Sequence, residues 1–509
     1  MPGTMTQLAA SVGEIDTSKQ CVMFEGFGKV FIVNEENLKV ADFTNVKIAT
    51  TDVGSHPPDF GTVLTGGTSG AKMVVDYITA LSSACTIYGR RTTTATFTTE
   101  TVTGTDDDGN AISFTTSGAE TLPPHWYTWT TYGNSTDYGS MPDQATLGCL
   151  YLGRCVLSGD EDYPHQWYMF RQANPWDRAY IANDAQTPIA GGNSDAGEIG
   201  DIVIALIPYR DEYLVFGCAT SMWVLRGDPA SGGMINELDL TVGIFGAKSY
   251  CFDGDGNLYF LSDAGDLRML PAGFGKIQNK SKPALPNLGK DEQLDQTLHR
   301  ITMDYDRDRN GILVSITLLS DGSNSCYWYD ISTGGFYSES YDSTCGAYSM
   351  LYYAANDDEY RHLLLGSRDG YIRQFSDSTK NDVTTSSTSA IDSYITLPVL
   401  KSENDDHAIL LNSITVTNAG GASGGSASDS DGVDLEIFTA DDVETVIENI
   451  QDGDTPLHDI TLSGTGRKNR VRRRTRGHSI ALRFHNDTAG ETWAIEKVAG
   501  EMTEKGRIK

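Results

Sequence analysis

IVIALIPYRDEYLVFGCATSMWVLRG (202–227) and GAKSYCFDGDGNLYFLSDAGDLRML (246–270) share one plan. Each starts with an apolar strand, turns on a short polar segment, and returns on a second strand rich in aromatic or branched residues. Residues 210–212 and Asp255-Gly256 make those turns; Asp-Gly suits a tight hairpin because it tolerates positive φ. The plan recurs on either side. CLYLGRCVLSG (149–159) is followed by QWYMFR (166–171), and ITMDYDRDRNGILVSITL (301–318) by CYWYDISTGGFYS (326–338), with Asp321-Gly322 between them. HLLLGSRDGYIRQF (362–375) turns on Asp369-Gly370. Hairpin units returning about every 40 to 50 residues predict an all-β fold with a β-propeller core. A β-sandwich with long loops gives a similar strand number, but the spacing favours the propeller. Trp223 reads as core packing within its unit.

Working outward, VFIVN (30–34) and LKVADF (38–43) read as a hairpin, so residues 1–58 are expected to join the core. After His56-Pro57-Pro58 the composition shifts to FGTVLTGGTSGAKMVVDYI (60–78), TTTATFTTETVTG (92–104) and an Asp108-Gly109 turn. Alternating Thr and apolar residues suit half-exposed strands, which predicts a small Thr/Gly-rich β insertion over 59–117. The propeller-like core then spans 118–390, ending in the Ser/Thr linker SDSTKNDVTTSSTSA (376–390). Residues 391–509 alternate like strands again and predict a C-terminal β-domain, interrupted by the flexible GGASGGSASDSDG (420–432).

The chain has 509 residues and a formal charge of −31. Phosphate binding needs clustered Lys and Arg, so a nonspecific grip on nucleic acid or an anionic membrane is disfavoured. A wall past which DNA only slides is compatible with acidity, although acidity also serves solubility alone. Eight cysteines, at 21, 85, 149, 155, 218, 251, 326 and 345, form no CxxC pair and read as buried free thiols made in a reducing cytosol. The N-terminal segment has no basic region followed by an apolar one, and no run approaches 18 apolar residues, so neither secretion nor membrane insertion is expected.

Motifs that carry chemistry are weak. In DYDRDRNG, Asp306, Asp308, Asn310 and Gly311 match the opening of a calcium loop, but Thr317 stands where a bidentate Glu is required and the flanks are strand-like. An ordinary hairpin turn is expected there, and DGDGN (253–257) likewise reads as a turn. Ser262-Asp263-Ala264-Gly265 and Ser367-Arg368-Asp369-Gly370 miss the spacing of sialidase-type propeller repeats, and there is no GxSxG, HExxH or GxxxxGK[ST]. A depolymerase would need an aligned carboxylate pair, and no pair is singled out. The expectation is no enzyme, no metal and no cofactor.

One segment departs from the acidic background: RKNRVRRRTRGH, with Arg467, Lys468, Arg470, Arg472, Arg473, Arg474 and Arg476. Such a band suits an acidic neighbouring subunit first, a solvated strand edge second and DNA third. Tyr163, Trp167 and Trp176 lie beside Pro164 and Pro175 in loop-like sequence and are candidate surface aromatic anchors, with core packing the alternative.

Residues 145–177, 197–229 and 255–271 resemble a block of phage virion proteins, the tail or head-to-tail structural proteins; VFIVNEENLKVADF and RVRRRTRGHSIALRF extend the resemblance. A propeller chain of this size resembles the nozzle, or tail hub, proteins of short-tailed phages. That resemblance implies a homohexamer around the DNA channel, located in the virion after assembly in the host cytoplasm. It also implies docking to a tail adaptor and to a tail fibre, tailspike or plug protein, with double-stranded DNA passing without adhesion. The alternative is a tail-tip or adsorption propeller that binds a host glycan.

Overall fold

The computed structural model describes residues 7–8, 14–376, 378–384, 387–402, 407–418, 433–462 and 468–507. The flexible segment expected at 420–432 and the cation Arg467 lie outside the described residues. The chain is all-β, and it divides into two compact units. The first comprises the chain to Asp321 with Ser325–Glu339 and Tyr348–Tyr352; the second comprises Gly322–Asn324, Ser340–Ala347 and Tyr353 onward.

The first unit is a succession of five four-stranded antiparallel sheets. The first takes Val22–Gly26, Lys29–Val33, Leu38–Asp42 and, much later in the chain, His125–Thr128. The other four are meanders in strict chain order, starting at Leu147–Tyr151, Val203–Tyr209, Tyr250–Phe252 and His299–Asp306. Their strands are short because each is bounded by a turn whose side chain satisfies the backbone. At DGDGN, the Asp253 carboxylate accepts the amides of Asp255 (2.9 Å) and Asn257 (2.8 Å), while Gly256 takes φ 82°. At DYDRDRNG, Asp306 pairs with Gly311 across the hairpin and accepts the Asp308 amide at 2.9 Å and Arg309 Nε at 2.8 Å.

Consecutive sheets bury one face against the next. Phe24 and Phe31 of the first meet Leu157 and Phe170 of the second, Trp167 of the second meets Phe216 of the third (ring centroids 6.0 Å), and Ile207 and Val215 of the third pack with Leu258 and Phe260 of the fourth. Tyr259 and Leu261 then pack with Ile312 and Val314 of the fifth. The first strands of neighbouring sheets also lie side by side: 22–26 by 147–151, 147–151 by 203–209, 250–252 by 299–306, and 299–306 by Ser349–Tyr352.

A separate six-stranded sheet is inserted between the third and fourth strands of the first sheet. It runs, in spatial order, Val46–Thr50, Cys85–Arg91, Lys72–Ile78, Val63–Gly66, Thr101–Thr105 and Ala111–Thr115. Thr50 bridges Thr116 and Lys47 bridges Thr121, so the two ends of the sheet meet and close a small barrel over Ile48, Met73, Ile87, Phe97 and Val102. Its first strand therefore comes from the sequence before residue 59, where VKIAT has the same apolar alternation as the core strands.

One turn of this barrel hangs on Glu100. Its carboxylate accepts the amides of Thr68 (2.7 Å), Ser69 (2.8 Å) and Thr98 (3.0 Å) and the Ser69 hydroxyl (2.6 Å). Burial would raise the Glu100 carboxyl, but the Ser69 hydroxyl and amide and the amides of Thr98 and Thr68 hold it down at about 2. A carboxylate depressed in the fold stabilises it fully above its unfolded value, near 4.5, and that contribution is lost as pH falls towards 2. Denaturant midpoints measured between pH 7 and 2 are expected to fall over that window, and Glu100→Gln to start lower at pH 7 and fall less. Parallel pH profiles for the two proteins would contradict this.

In the second unit, Leu363–Gly366 pairs with Ile372–Gln374. Asn381–Val383 pairs with Thr388–Ala390, so the Ser/Thr linker carries a small ribbon. Beyond it, two sheets face each other over Ile409, Leu411, Ile414, Val416, Leu435, Ile437, Leu482 and Phe484. One sheet centres on Asp434–Ala440 and Ser479–Asn486; the other on the 12-residue strand His407–Asn418, flanked by Ile495–Arg507. The helix Val443–Gln451 is capped by Asp442, whose carboxylate accepts the Thr445 amide at 2.7 Å. It covers the outer face of the first of these sheets through Val446, Phe438 and Ala481.

Candidate functional site

At the N-terminal ends of the first strands of the first three sheets, the first unit has a cavity of about 320 Å³. Val22, Leu147, Val203, Ile204 and Ala247 give it an apolar lining: the first four begin the first strands of the first three sheets, and Ala247 lies in the run leading into the fourth. Lys19, Glu35, Asp160 and Glu161 add charge to the lining. Lys19 Nζ pairs with Glu35 Oε2 at 2.7 Å, which raises the lysine's pKa. Asn34, fully buried, fixes this edge: its Nδ2 donates to the Asp16 carbonyl at 2.9 Å and its Oδ1 accepts the Asn37 amide at 2.9 Å. With Lys19 engaged, Asp160 and Glu161 leave this lining net acidic.

Along the same first strands the polar groups are shielded from water. Burial lowers the Lys248 pKa and raises that of Asp304, whose carboxylate accepts the Tyr352 amide at 2.8 Å. The Arg300 guanidinium lies 4.0 Å over the Tyr348 ring. Cys149 and Cys251 are buried and their thiols are pushed up, which leaves them protonated and poor nucleophiles. No disulfide joins the eight cysteines to one another; seven of them are buried and Cys21 is partly so. Among the described residues, no group of three or more His, Cys, Asp or Glu side chains is placed to hold a metal ion.

The cation-rich segment forms one edge of the C-terminal sandwich. Lys468–Val471 pairs with residues 414–417, and Thr475–Gly477 pairs with residues 409–411 of the same long strand. Between these pairings, residues 472–474 face only Asn412 and Ser413 and bulge from the edge. Lys468, Arg470, Arg472, Arg473, Arg474 and Arg476 are all exposed. Arg470 reaches Glu501 at 3.7 Å; the other five have no carboxylate within salt-bridge distance among the described residues.

The aromatic candidates divide. Tyr163 is 56% exposed, beside Pro164 in the cavity lining. Trp167 and Trp176 are fully buried, which corrects their assignment as surface anchors. Trp167 opens the strand Trp167–Met169 and points between the second and third sheets. Trp176 follows a turn in which Asn174 Oδ1 accepts its amide at 3.0 Å; that turn directs the indole inward onto Tyr77, with ring centroids 4.3 Å apart. Pro164 upstream of Trp167 and Pro175 before Trp176 made both positions look like loop, and neither turn direction is encoded in a spacing rule. Trp223 packs against the core between the second and third sheets while its Nε1 donates to Ser221 Oγ at 3.0 Å.

No protein-family model and no curated protein matches the chain. Among solved structures, it is similar to a protein of unknown function from Bacteroides thetaiotaomicron, with 11% identity, 70% of this chain and 87% of that one covered, and a TM-score of 0.27. An auxiliary nutrient binding protein from Bacteroides ovatus gives 10% identity, 72% and 88% coverage and a TM-score of 0.26. A protein from Lactobacillus plantarum gives 12% identity, 65% and 96% coverage and a TM-score of 0.28.

Two buried cations escaped the sequence analysis. Lys29 is 3% exposed, with Nζ 2.7 Å from Asp76 and 4.0 Å from Asp42. It ties the first sheet to the inserted barrel. Arg154 is 1% exposed and ties the second sheet to the third through Asp228. The signal was present in each case: a single cation inside an otherwise apolar strand, in GKVFIV and in LGRCVLS.

Proposed function

We propose that the chain is a virion structural protein, one subunit of a homohexameric phage tail nozzle or hub through which DNA leaves the particle. The observation that carries this reading is the row of four-stranded antiparallel sheets packed face to face, an arrangement that resembles the blades of a propeller. The stretches that resemble tail structural proteins, 145–177, 197–229 and 255–271, fall in the second, third and fourth sheets. Function here is geometric: acidic walls give phosphates nothing to hold, and no side chain performs chemistry. The inserted barrel serves as the module for a fibre, tailspike or plug, and the tail adaptor docks the ring to the particle.

Light scattering on the full-length chain tests this. A mass of about six chains of 55.2 kDa is expected; a monomer or trimer at every concentration would sink the reading. Tyr163, exposed next to the apolar cavity, favours a second reading as an adsorption protein for a host glycan. Glycan binding by a monomeric chain, abolished by Tyr163→Ala, is what that alternative requires.

A further inference from the structure

We infer that the C-terminal sandwich joins neighbouring copies head to tail, with the arginine bulge of one copy seated on the acidic helix of the next. The inference rests on the ring reading and names its contact. The two surfaces are different parts of one sandwich. The bulge lies on the edge of the sheet built on His407–Asn418, and the helix Val443–Gln451 lies on the outer face of the other sheet.

Each surface is electrostatically unfavourable when left alone. On the helix, Val446 and Ile450 turn inward, while Glu444, Glu448 and Asp452 follow at i, i+4 and i+8 along the exposed side. Like charges at i, i+4 destabilise a helix. Glu448 and Asp452 also lie at its C-terminal end, where the helix dipole favours cations, and the last turn contains no basic residue. Asp441 and Asp454 extend the acidic strip, Ile447 stands 42% exposed within it, and none of these carboxylates has a cation within salt-bridge distance among the described residues. On the sheet edge, Arg472, Arg473 and Arg474 are consecutive, exposed and equally uncompensated. Seating one strip on the other neutralises both, and guanidinium forks match carboxylates bidentately. Because the strips are distinct, each copy offers one donor and one acceptor face, the heterologous geometry that generates a ring when the rotation between copies closes.

The test is charge exchange in the full-length chain, read by light scattering at about 0.1 M and 1 M salt. Arg472→Glu/Arg473→Glu/Arg474→Glu and, separately, Glu444→Lys/Glu448→Lys/Asp452→Lys are each expected to weaken self-association by about tenfold or more. Circular dichroism and denaturant midpoints confirm that the variants fold. An equimolar mixture of the two is expected to regain the wild-type mass, because acidic edges then meet basic helices and the wild-type faces meet each other. Rings that survive both reversals, or reversals that the mixture fails to rescue, overturn this contact and leave the ring reading standing. A wild-type chain that never self-associates removes both. Reversal at 472–474 that abolishes binding of duplex DNA while the mass is unchanged assigns the arginines to phosphate and overturns the inference.

Discussion

Replacing Arg154 with Met is expected to cost about 3–5 kcal/mol of stability, because it removes one partner of a buried ion pair and strands the other groups around it. Arg154 Nε donates to Asp228 Oδ2 at 3.0 Å, Nη1 to the carbonyls of Phe170 (3.0 Å), Gln186 (3.0 Å) and Thr187 (2.9 Å), and Nη2 to that of Ala185 (2.9 Å). All five acceptors belong to one loop of the second sheet or to the turn after the third strand of the third sheet, and the two Nη1 hydrogens are shared among three carbonyls. Methionine fills the volume but leaves four carbonyls and a carboxylate without their donor. Lysine retains the charge and loses the fork, so Arg154→Lys should fall between wild type and Arg154→Met. Denaturant unfolding decides it: equal midpoints for wild type and Arg154→Met would mean that this guanidinium does not clamp the two sheets together.

Lys29→Met is the second large effect, of about 3–5 kcal/mol at neutral pH. Asp42 is fully buried and accepts the amides of Thr44 (3.0 Å) and Asn45 (3.1 Å) and the Tyr127 hydroxyl (3.0 Å). Asn45 Nδ2 bridges Asp42 (2.8 Å) to Asp76 (2.6 Å), so two carboxylates share one cation. Burial alone would raise the Asp42 pKa; the Lys29 charge and these hydrogen bonds outweigh it and lower the value. In wild type the contribution of Asp42 is therefore present above its unfolded pKa and lost as pH falls. Without Lys29 the Asp42 carboxyl moves upward and protonates more readily, so the gap between the two proteins should narrow below about pH 4. A pH-independent difference would show that only packing volume was lost.

How much of this was legible in the sequence depends on the kind of interaction. The all-β character and the hairpins on Asp255-Gly256 and 306–311 follow from local chemistry: an apolar run, an Asp that accepts backbone amides, and a Gly or Asn that takes positive φ. The barrel strand Val46–Thr50 was not separable from its neighbours, because a short half-buried strand has the same alternation in any sheet. Trp176 and the Lys29–Asp76 pair depend on contacts between residues 47 to 100 positions apart, which no local pattern reports. The cationic edge was visible as composition. Its acidic counterpart was not, because Glu444, Glu448 and Asp452 align only once residues 443–451 are known to be helical.

The central claim is that copies of this chain enclose a passage for DNA. Electron cryo-microscopy of the full-length protein tests it most directly. The account predicts rings of six, with the meander sheets arranged as propellers and an axial opening wide enough for duplex DNA. Monomers, or closed particles without an axial opening, would contradict it.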